Sequence, residues 1–149
     1  MYNWFRVKVS FDKTMPNGII KKVTEEYLFD SLSFTESEAR TVEELKPYIS
    51  GEFSISDIKR ARISELFFNK DGDRYFKAKV YFLSIDPKSG NEKKTVTTMI
   101  AQACDIREAL EVIEKGMTGT MADYTIASLT ETSIMDVFPY SSEVKPTKE

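Results

Sequence analysis

The sequence contains no histidine and only one cysteine, Cys104, among its 149 residues. The absence of histidine excludes Ser-His-Asp and Cys-His catalysis, imidazole metal ligands and the usual proton shuttle. One cysteine cannot form a disulfide within the chain, which is typical of a reducing compartment. We therefore expect a non-enzymatic, cytoplasmic protein that has neither a metal ion nor a cofactor.

Long apolar runs are also absent, since no stretch approaches the roughly 20 residues of a membrane-spanning helix. We expect no membrane contact and, without a signal-peptide pattern, no export. Hydrophobic residues make up 41% of the chain, and 21 Lys+Arg against 24 Asp+Glu give a net charge of −3. This composition predicts a single compact domain over residues 1–140. Residues 141–149 lack an apolar pattern, which predicts a flexible tail.

The most informative feature that is present is an internal repeat. Five segments of the first half return in the same order in the second half. The clearest pair is 4–11 and 75–82, in which aromatic, basic and apolar residues follow one another in the same order. We place repeat one at about residues 4–68 and repeat two at about residues 75–138.

Each repeat is predicted to contain a strand, a second strand, a helix and a third strand. Apolar and polar residues alternate over 4–11 and 75–82, which indicates half-buried strands, and turn-rich segments after them indicate hairpins. The third strands are expected at about 57–68 and 122–131. The last segment, 135–140, is expected to dock back on the body of the protein.

Two capping boxes mark where the helices should begin. Ser33 is followed three residues later by Glu36, and Asp105 by Glu108, a spacing at which the first side chain accepts a free helix amide. Neither repeat has enough apolar surface to be stable alone, so two repeats would share a core. The predicted fold is therefore α+β, with two tandem strand–strand–helix–strand repeats related by a pseudo-two-fold axis and a mostly antiparallel sheet.

Basic residues are concentrated on the predicted strands, and acidic residues on the predicted helices. If the apolar positions of 4–11 and 75–82 face the core, strand alternation sends aromatic and cationic side chains to the opposite face of both repeats. The candidate binding residues on this face are Trp4, Arg6, Lys8, Tyr75, Lys77, Lys79 and Tyr81. Such a face suits single-stranded nucleic acid, because cations neutralise phosphates and aromatic rings stack on unpaired bases.

Other interpretations of this face remain open. Alternating lysine is also typical of a solvated sheet, and lysine protects exposed sheet edges. The alternatives are an interaction module that forms homo-oligomers through a sheet edge, and a protein that captures small nucleotides to counter host defence. Each of these predicts a partner other than a nucleic-acid strand.

Two further motifs are predicted to be structural. Asn69, Asp71 and Asp73 alternate as at the start of a calcium loop, but the required glycine and glutamate are missing at positions 74 and 80. We therefore predict a polar turn and no metal site. Cys104 aligns with Leu32 of the first repeat, which predicts a core position.

Four segments, at 32–40, 49–54, 119–124 and 136–140, carry a resemblance to a known family. They read LSFTESEAR, ISGEFS, GTMADY and DVFPY. Through them nearly the whole chain resembles an uncharacterised family of short proteins from gut anaerobic bacteria and their phages. The family has no assigned activity, so the resemblance implies only a cytoplasmic bacterial or phage setting. Small binding proteins that serve DNA metabolism or counter host defence are common there.

Overall fold

The computed structural model describes residues 3–140, which form two compact units. The first unit takes residues 3–62 together with 133–140, and the second takes residues 63–132. Each unit contains one helix and one four-stranded sheet. The predicted α+β class with mostly antiparallel strands is confirmed. The predicted tail at 141–149 lies outside the described residues.

The described residues contain eight strands and two helices. In chain order they are β1 (Trp4–Thr14), β2 (Ile20–Asp30), α1 (Phe34–Leu45), β3 (Phe53–Ala61), β4 (Glu65–Phe67), β5 (Arg74–Ile85), β6 (Glu92–Ala103), α2 (Ile106–Gly116), β7 (Asp123–Glu131) and β8 (Ile134–Phe138).

The two sheets have the same internal arrangement. Sheet 1, in the first unit, has the strand order β3-β1-β2-β8, and sheet 2, in the second unit, has the order β4-β6-β5-β7. In each sheet the two central strands form an antiparallel hairpin, β1–β2 in sheet 1 and β5–β6 in sheet 2. A third strand pairs antiparallel with the first strand of the hairpin, β3 with β1 and β7 with β5. The fourth strand is parallel, with β8 on β2 and β4 on β6.

The prediction of one long third strand over 57–68 is wrong. The segment breaks at residues 62–64, so that β3 belongs to sheet 1 and β4 to sheet 2. The last segment does dock back as predicted, because β8 returns to sheet 1. The structural units therefore do not coincide with the predicted repeats, since each unit takes its parallel strand from the other half of the sequence.

Capping starts both helices where the sequence predicts. The Ser33 hydroxyl accepts the amide of Glu36 at 3.1 Å, and the Asp105 carboxylate accepts the amide of Glu108 at 2.8 Å. The two glutamates reach back to amides just before the caps, Glu36 to residue 32 and Glu108 to residue 104. The contacts from Ser33 and Asp105 satisfy amides that the first helical turn leaves free, and the contacts from the glutamates fix the chain just before each helix.

Each helix covers one face of its own sheet. In the first unit Phe5, Val7 and Val9 of β1 pack in one buried cluster with Leu45 and Ile49. In the second unit the corresponding residues of β5 pack with residues of α2. These residues are Phe76, Ala78, Val80, Ala109 and Ile113. The predicted inward-facing positions are confirmed in both sheets.

The two units also share a local irregularity. A β-bulge interrupts the pairing of β1 with β3 after Lys8, and another interrupts the pairing of β5 with β7 after Lys79. The identical placement of these bulges is compatible with the predicted internal repeat.

Candidate nucleic-acid interface

The predicted binding residues lie on the sheet faces that point away from the helices. Strand alternation places Trp4, Arg6 and Lys8 on this face of sheet 1. It places the other four, Tyr75, Lys77, Lys79 and Tyr81, on the corresponding face of sheet 2. The structure thus groups the candidates by sheet, and the two groups differ in their surroundings.

Two of the predicted stacking rings are not accessible. Trp4 is 5% exposed and Tyr75 is 1% exposed, so the prediction that they stack on bases is wrong. Their register partners on the same faces are buried as well, Asp30 opposite Trp4 and Gln102 opposite Tyr75. At this end of each sheet both faces are buried. The prediction failed because alternation of apolar and polar residues indicates which face of the sheet a side chain occupies, but not whether other residues cover that face.

The cations of sheet 1 have acidic neighbours. The Arg6 guanidinium forms an ion pair with Glu26, with 3.1 Å between Nε and Oε1. Lys8 lies between Glu26 on β2 and Asp57 on β3, its direct partners in the strand register. Lys59 also approaches Asp57, at 3.9 Å. Two carboxylates therefore offset most of the positive charge of this face.

The cations of sheet 2 have no such neighbours. Lys79 lies between Thr98 on β6 and Ser128 on β7, the positions that correspond to the two carboxylates of sheet 1. Lys77 lies between Ile100 and Thr130. Both lysines are exposed, and neither forms an ion pair with any described residue.

A third cation and an aromatic ring lie further along the same face of sheet 2. The Nζ atom of Lys94 lies 5.6 Å from the ring centroid of Tyr81. Tyr81 is half-buried, and its register neighbours Val96 and Thr125 are exposed. The ring therefore has a fixed position and retains an accessible surface, which base stacking requires.

We call this set the sheet-2 face. Its members are Lys77, Lys79, Tyr81, Lys94, Thr98 and Ser128. Lysines two residues apart on one strand are separated by about 7 Å, so they can contact successive anionic groups of an extended ligand. The hydroxyl groups of Thr98 and Ser128 on either side of Lys79 add donors and acceptors without adding negative charge.

Sequence reasoning missed the part of this face that comes from β6 and β7. Nothing in the sequence around Lys94, Thr98 or Ser128 marks these residues as part of a site. Strand pairing alone places Thr98 and Ser128 beside Lys79, and it brings Lys94 to the ring of Tyr81. The hairpin turn before β6 was a usable signal, since hairpin pairing aligns the two strands.

The prediction that Cys104 is a core residue is wrong. Its side chain is exposed, and so is Leu32, the residue aligned with it, at 71%. Both residues lie just before a helix cap, where the side chain leaves the sheet. Desolvation and the neighbouring Glu108 carboxylate raise the pKa of the Cys104 thiol, which disfavours the reactive thiolate.

The segment 69–73 forms a polar turn, as the sequence predicts. The Asn69 side chain accepts the amide of Asp71 at 3.3 Å and donates to Glu108 at 3.0 Å. Among the described residues no three acidic or thiol side chains are grouped as a metal site would require. Neither helix in residues 3–140 is long and apolar enough to cross a membrane.

Comparison with known proteins identifies a family without an assigned activity. A family model described as a domain of unknown function, DUF4494, matches residues 3–140. No curated protein and no solved structure matches the chain.

Proposed function

The chain belongs to the DUF4494 family, and we propose that it is a non-enzymatic protein that binds single-stranded nucleic acid on the sheet-2 face. The observation that supports this most is the contrast between the sheets. The same strand positions carry cations in both, Arg6 and Lys8 in sheet 1 and Lys77 and Lys79 in sheet 2, but only sheet 1 places carboxylates beside them. The cations of sheet 2 are therefore available to an external anion.

Local charge matters more than the net charge of −3 for this proposal. An anion held against one face interacts with the cations within about 10 Å of it, because salt screens more distant charges. Lys77 and Lys79 lie within this distance of one another, two residues apart on β5, and the Nζ atom of Lys94 lies 5.6 Å from the ring centroid of Tyr81, the next outward-facing residue of that strand. We expect weak to moderate affinity that decreases steeply with salt.

The first test removes two of the lysines. We expect Lys77→Gln/Lys79→Gln to weaken binding of a fluorescein-labelled single-stranded oligonucleotide, measured by fluorescence anisotropy at several salt concentrations. Each lost phosphate contact lowers the slope of log K against log salt by about 0.7, so the double variant should lose about 1.4. An unchanged affinity and an unchanged slope would refute the proposal.

A second test keeps the lysines and restores the charge pattern of sheet 1. The variant Thr98→Glu/Ser128→Asp places carboxylates on both sides of Lys79, as Glu26 and Asp57 flank Lys8. It should abolish binding even though every lysine is still present. The matched control is Lys8→Gln in sheet 1, which should leave binding nearly unchanged.

The aromatic contribution can be measured separately. Replacing Tyr81 by leucine keeps an apolar side chain but removes the ring, and the loss of one stacked base is worth about 1–3 kcal/mol, or roughly 5–150-fold in affinity. Tyr81→Phe keeps the ring and should bind as the wild type does. Equal binding by both variants would exclude a stacking role for Tyr81.

A second candidate function rests on the edge strand β7. Residues 124–130 of this strand contain no charged residue and no proline, whereas the other long edge strand, β3, carries Asp57, Lys59 and Arg60. Uncharged edges favour pairing with another chain, so this edge supports the oligomeric assembly considered above. Light scattering after gel filtration would show a salt-insensitive oligomer that a Thr125→Lys variant dissociates.

The setting forms part of the same proposal. We place the protein in the cytoplasm of a bacterium or of a phage-infected cell, where single-stranded intermediates of DNA metabolism are available. The single cysteine supports a reducing compartment. Fractionation of a native host, followed by immunodetection, would test the location.

A further inference from the structure

The end of the first hairpin differs from the rest of sheet 1 because both of its faces are open. The last three ladder pairs of β1 and β2 join Asp12 to Lys22, Lys13 to Lys21 and Thr14 to Ile20. All six residues are exposed, although alternate residues nearer the sheet centre are buried. The hairpin end, residues 12–22, is therefore a two-stranded ribbon that no other described residue covers on either side.

Two features of the hairpin end are unfavourable in water. Ile19 is 62% exposed and Ile20 is 67% exposed, which places two large apolar side chains at the tip. Lys13 and Lys21 lie directly opposite one another, and neither forms an ion pair with a described residue. Like charges in directly opposed positions destabilise a sheet, and grouped exposed apolar side chains indicate an interaction site. An anionic partner with apolar contact points would relieve both.

The tip is ordered by its own turn. The amide of Met15 donates to the carbonyl of Ile19 at 2.8 Å, and the amide of Gly18 donates to the carbonyl of Met15 at 2.8 Å. The Asn17 side chain accepts the amide of Ile19 at 3.1 Å, and Gly18 has a φ of 85°, which glycine tolerates best. The isoleucines are therefore held in place before any partner binds, which lowers the entropic cost of binding.

The dimensions of the ribbon match one class of partner. The major groove of B-form DNA is about 12 Å wide and 8.5 Å deep and admits a two-stranded β-ribbon. Two strands lie about 4.8 Å apart, and three ladder pairs project about 10 Å. A ribbon with two open faces can enter a groove that has two walls, whereas a sheet covered on one face can only lie on a surface.

From these observations we propose that the hairpin end enters the major groove of duplex DNA. Lys13 and Lys21, which have no carboxylate opposite them, contact phosphates on the groove walls, and Ile19 and Ile20 contact thymine methyl groups on the groove floor. Double-stranded RNA is a poor substitute, because its major groove is too narrow for side chains to read. An anionic membrane is also less suitable, since polybasic lipid-binding segments carry four to eight cations and this ribbon has three lysines and one aspartate.

This inference does not rest on the sheet-2 face, because the residues of the two surfaces are different. Binding of a single strand therefore reports on the sheet-2 face, and binding of a duplex reports on the hairpin end. Either proposal can fail while the other holds.

The experiment measures anisotropy of a labelled 20-base-pair DNA duplex with the full-length protein at several salt concentrations. The variant Lys13→Gln/Lys21→Gln should weaken duplex binding and lower the salt slope by about 1.8, since each phosphate contact on B-form DNA contributes about 0.9. Its single-strand binding should not change. Because the substituted positions are exposed, circular dichroism should show an unchanged fold.

The isoleucines are tested with the duplex itself. The wild type should bind a thymine-containing duplex more tightly than the same duplex with uracil at every thymine position. The variant Ile19→Ser/Ile20→Ser should lose this preference. The matched control is Ile85→Ser, because Ile85 is 69% exposed on the hairpin of the other sheet.

Three results would overturn the proposal. These are no duplex binding by the wild type, equal duplex binding by the lysine variant, and equal affinity of the wild type for thymine and uracil duplexes. Salt-sensitive binding to phosphatidylserine vesicles that exceeds binding to the duplex would likewise reject DNA as the partner.

Discussion

Arg40 of α1 holds the segment that follows β8 against β2, and its removal should loosen that segment and the end of β8. The Arg40 guanidinium donates hydrogen bonds to the backbone carbonyls of Asp30 and Pro139, the second at 3.1 Å. It also lies 5.7 Å from the ring centroids of Phe29 and Tyr140. One side chain therefore joins α1, β2 and the segment after β8. We predict that Arg40→Ala destabilises the protein mainly by releasing this segment.

The magnitude follows from these contacts. Hydrogen bonds from a charged donor are worth about 1.5–3 kcal/mol each, and a cation over an accessible ring adds about 0.5–1 kcal/mol. Ordering an arginine costs about 2 kcal/mol of side-chain entropy. We expect a net loss of about 3 kcal/mol in the free energy of unfolding, or roughly 10 °C in Tm for a chain of this length. Arg40→Lys keeps the charge but not the two-pronged donor, and it should lose about half as much.

Two measurements test this prediction. Urea unfolding of wild type, Arg40→Ala and Arg40→Lys gives the free energies, and hydrogen exchange shows where protection is lost. Amides of β8 should exchange faster in Arg40→Ala, while amides of β4, the parallel strand of the other sheet, should keep their protection. A loss below about 1 kcal/mol, or equal acceleration in both strands, would refute the reasoning.

Three further predictions follow from single positions. Trp4 is the only tryptophan and is 5% exposed, so its fluorescence should be blue-shifted and should not change when an oligonucleotide is added; quenching would show an accessible ring. A Cβ at Gly72 would lie 2.5 Å from the backbone of Ala103, so Gly72→Ala should cost about 3 kcal/mol or more in urea unfolding. Burial raises the pKa of Asp30 although the Asn3 amide opposes this, so the folded state binds the Asp30 proton more tightly than the unfolded state does. Relative to Asp30→Asn, the wild type should therefore gain stability as the pH is lowered from 7 towards 3.8, and thermal unfolding at both ends of this range should show it.

The parts of the fold that the sequence predicts well depend on contacts between near neighbours. The capping boxes at Ser33 and Asp105 set the helix starts through hydrogen bonds that span three residues. The alternation in β1 and β5 identifies the inward residues, because successive side chains of a strand point to opposite faces. Half of the candidate site follows from the same rule, since Lys77, Lys79 and Tyr81 lie on one face as predicted.

The errors concern contacts between distant parts of the chain. β4 and β8 each join the sheet of the other half, although a local signal for their equivalence exists. Each of these two strands has an acidic residue, an aliphatic residue and a phenylalanine in succession. Glu65-Leu66-Phe67 of β4 pairs with β6, and Asp136-Val137-Phe138 of β8 pairs with β2 in the equivalent register. Their partners could not be inferred, because strand pairing depends on long-range hydrogen bonds that the local pattern does not specify.

The amino-acid sequence by itself determined the kinds of element, their order and the inward face of each strand, because helix capping and side-chain alternation act over a few residues. Only the tertiary structure decided which sheet receives each parallel strand, which rings become inaccessible and which lysines have acidic neighbours. Trp4 and Tyr75 are buried, and Lys8 and Lys79 differ in charge environment, because residues far away in the chain occupy the adjacent positions. The burial and the electrostatic environment of a side chain depend on these distant residues, which become its neighbours only when the chain has folded.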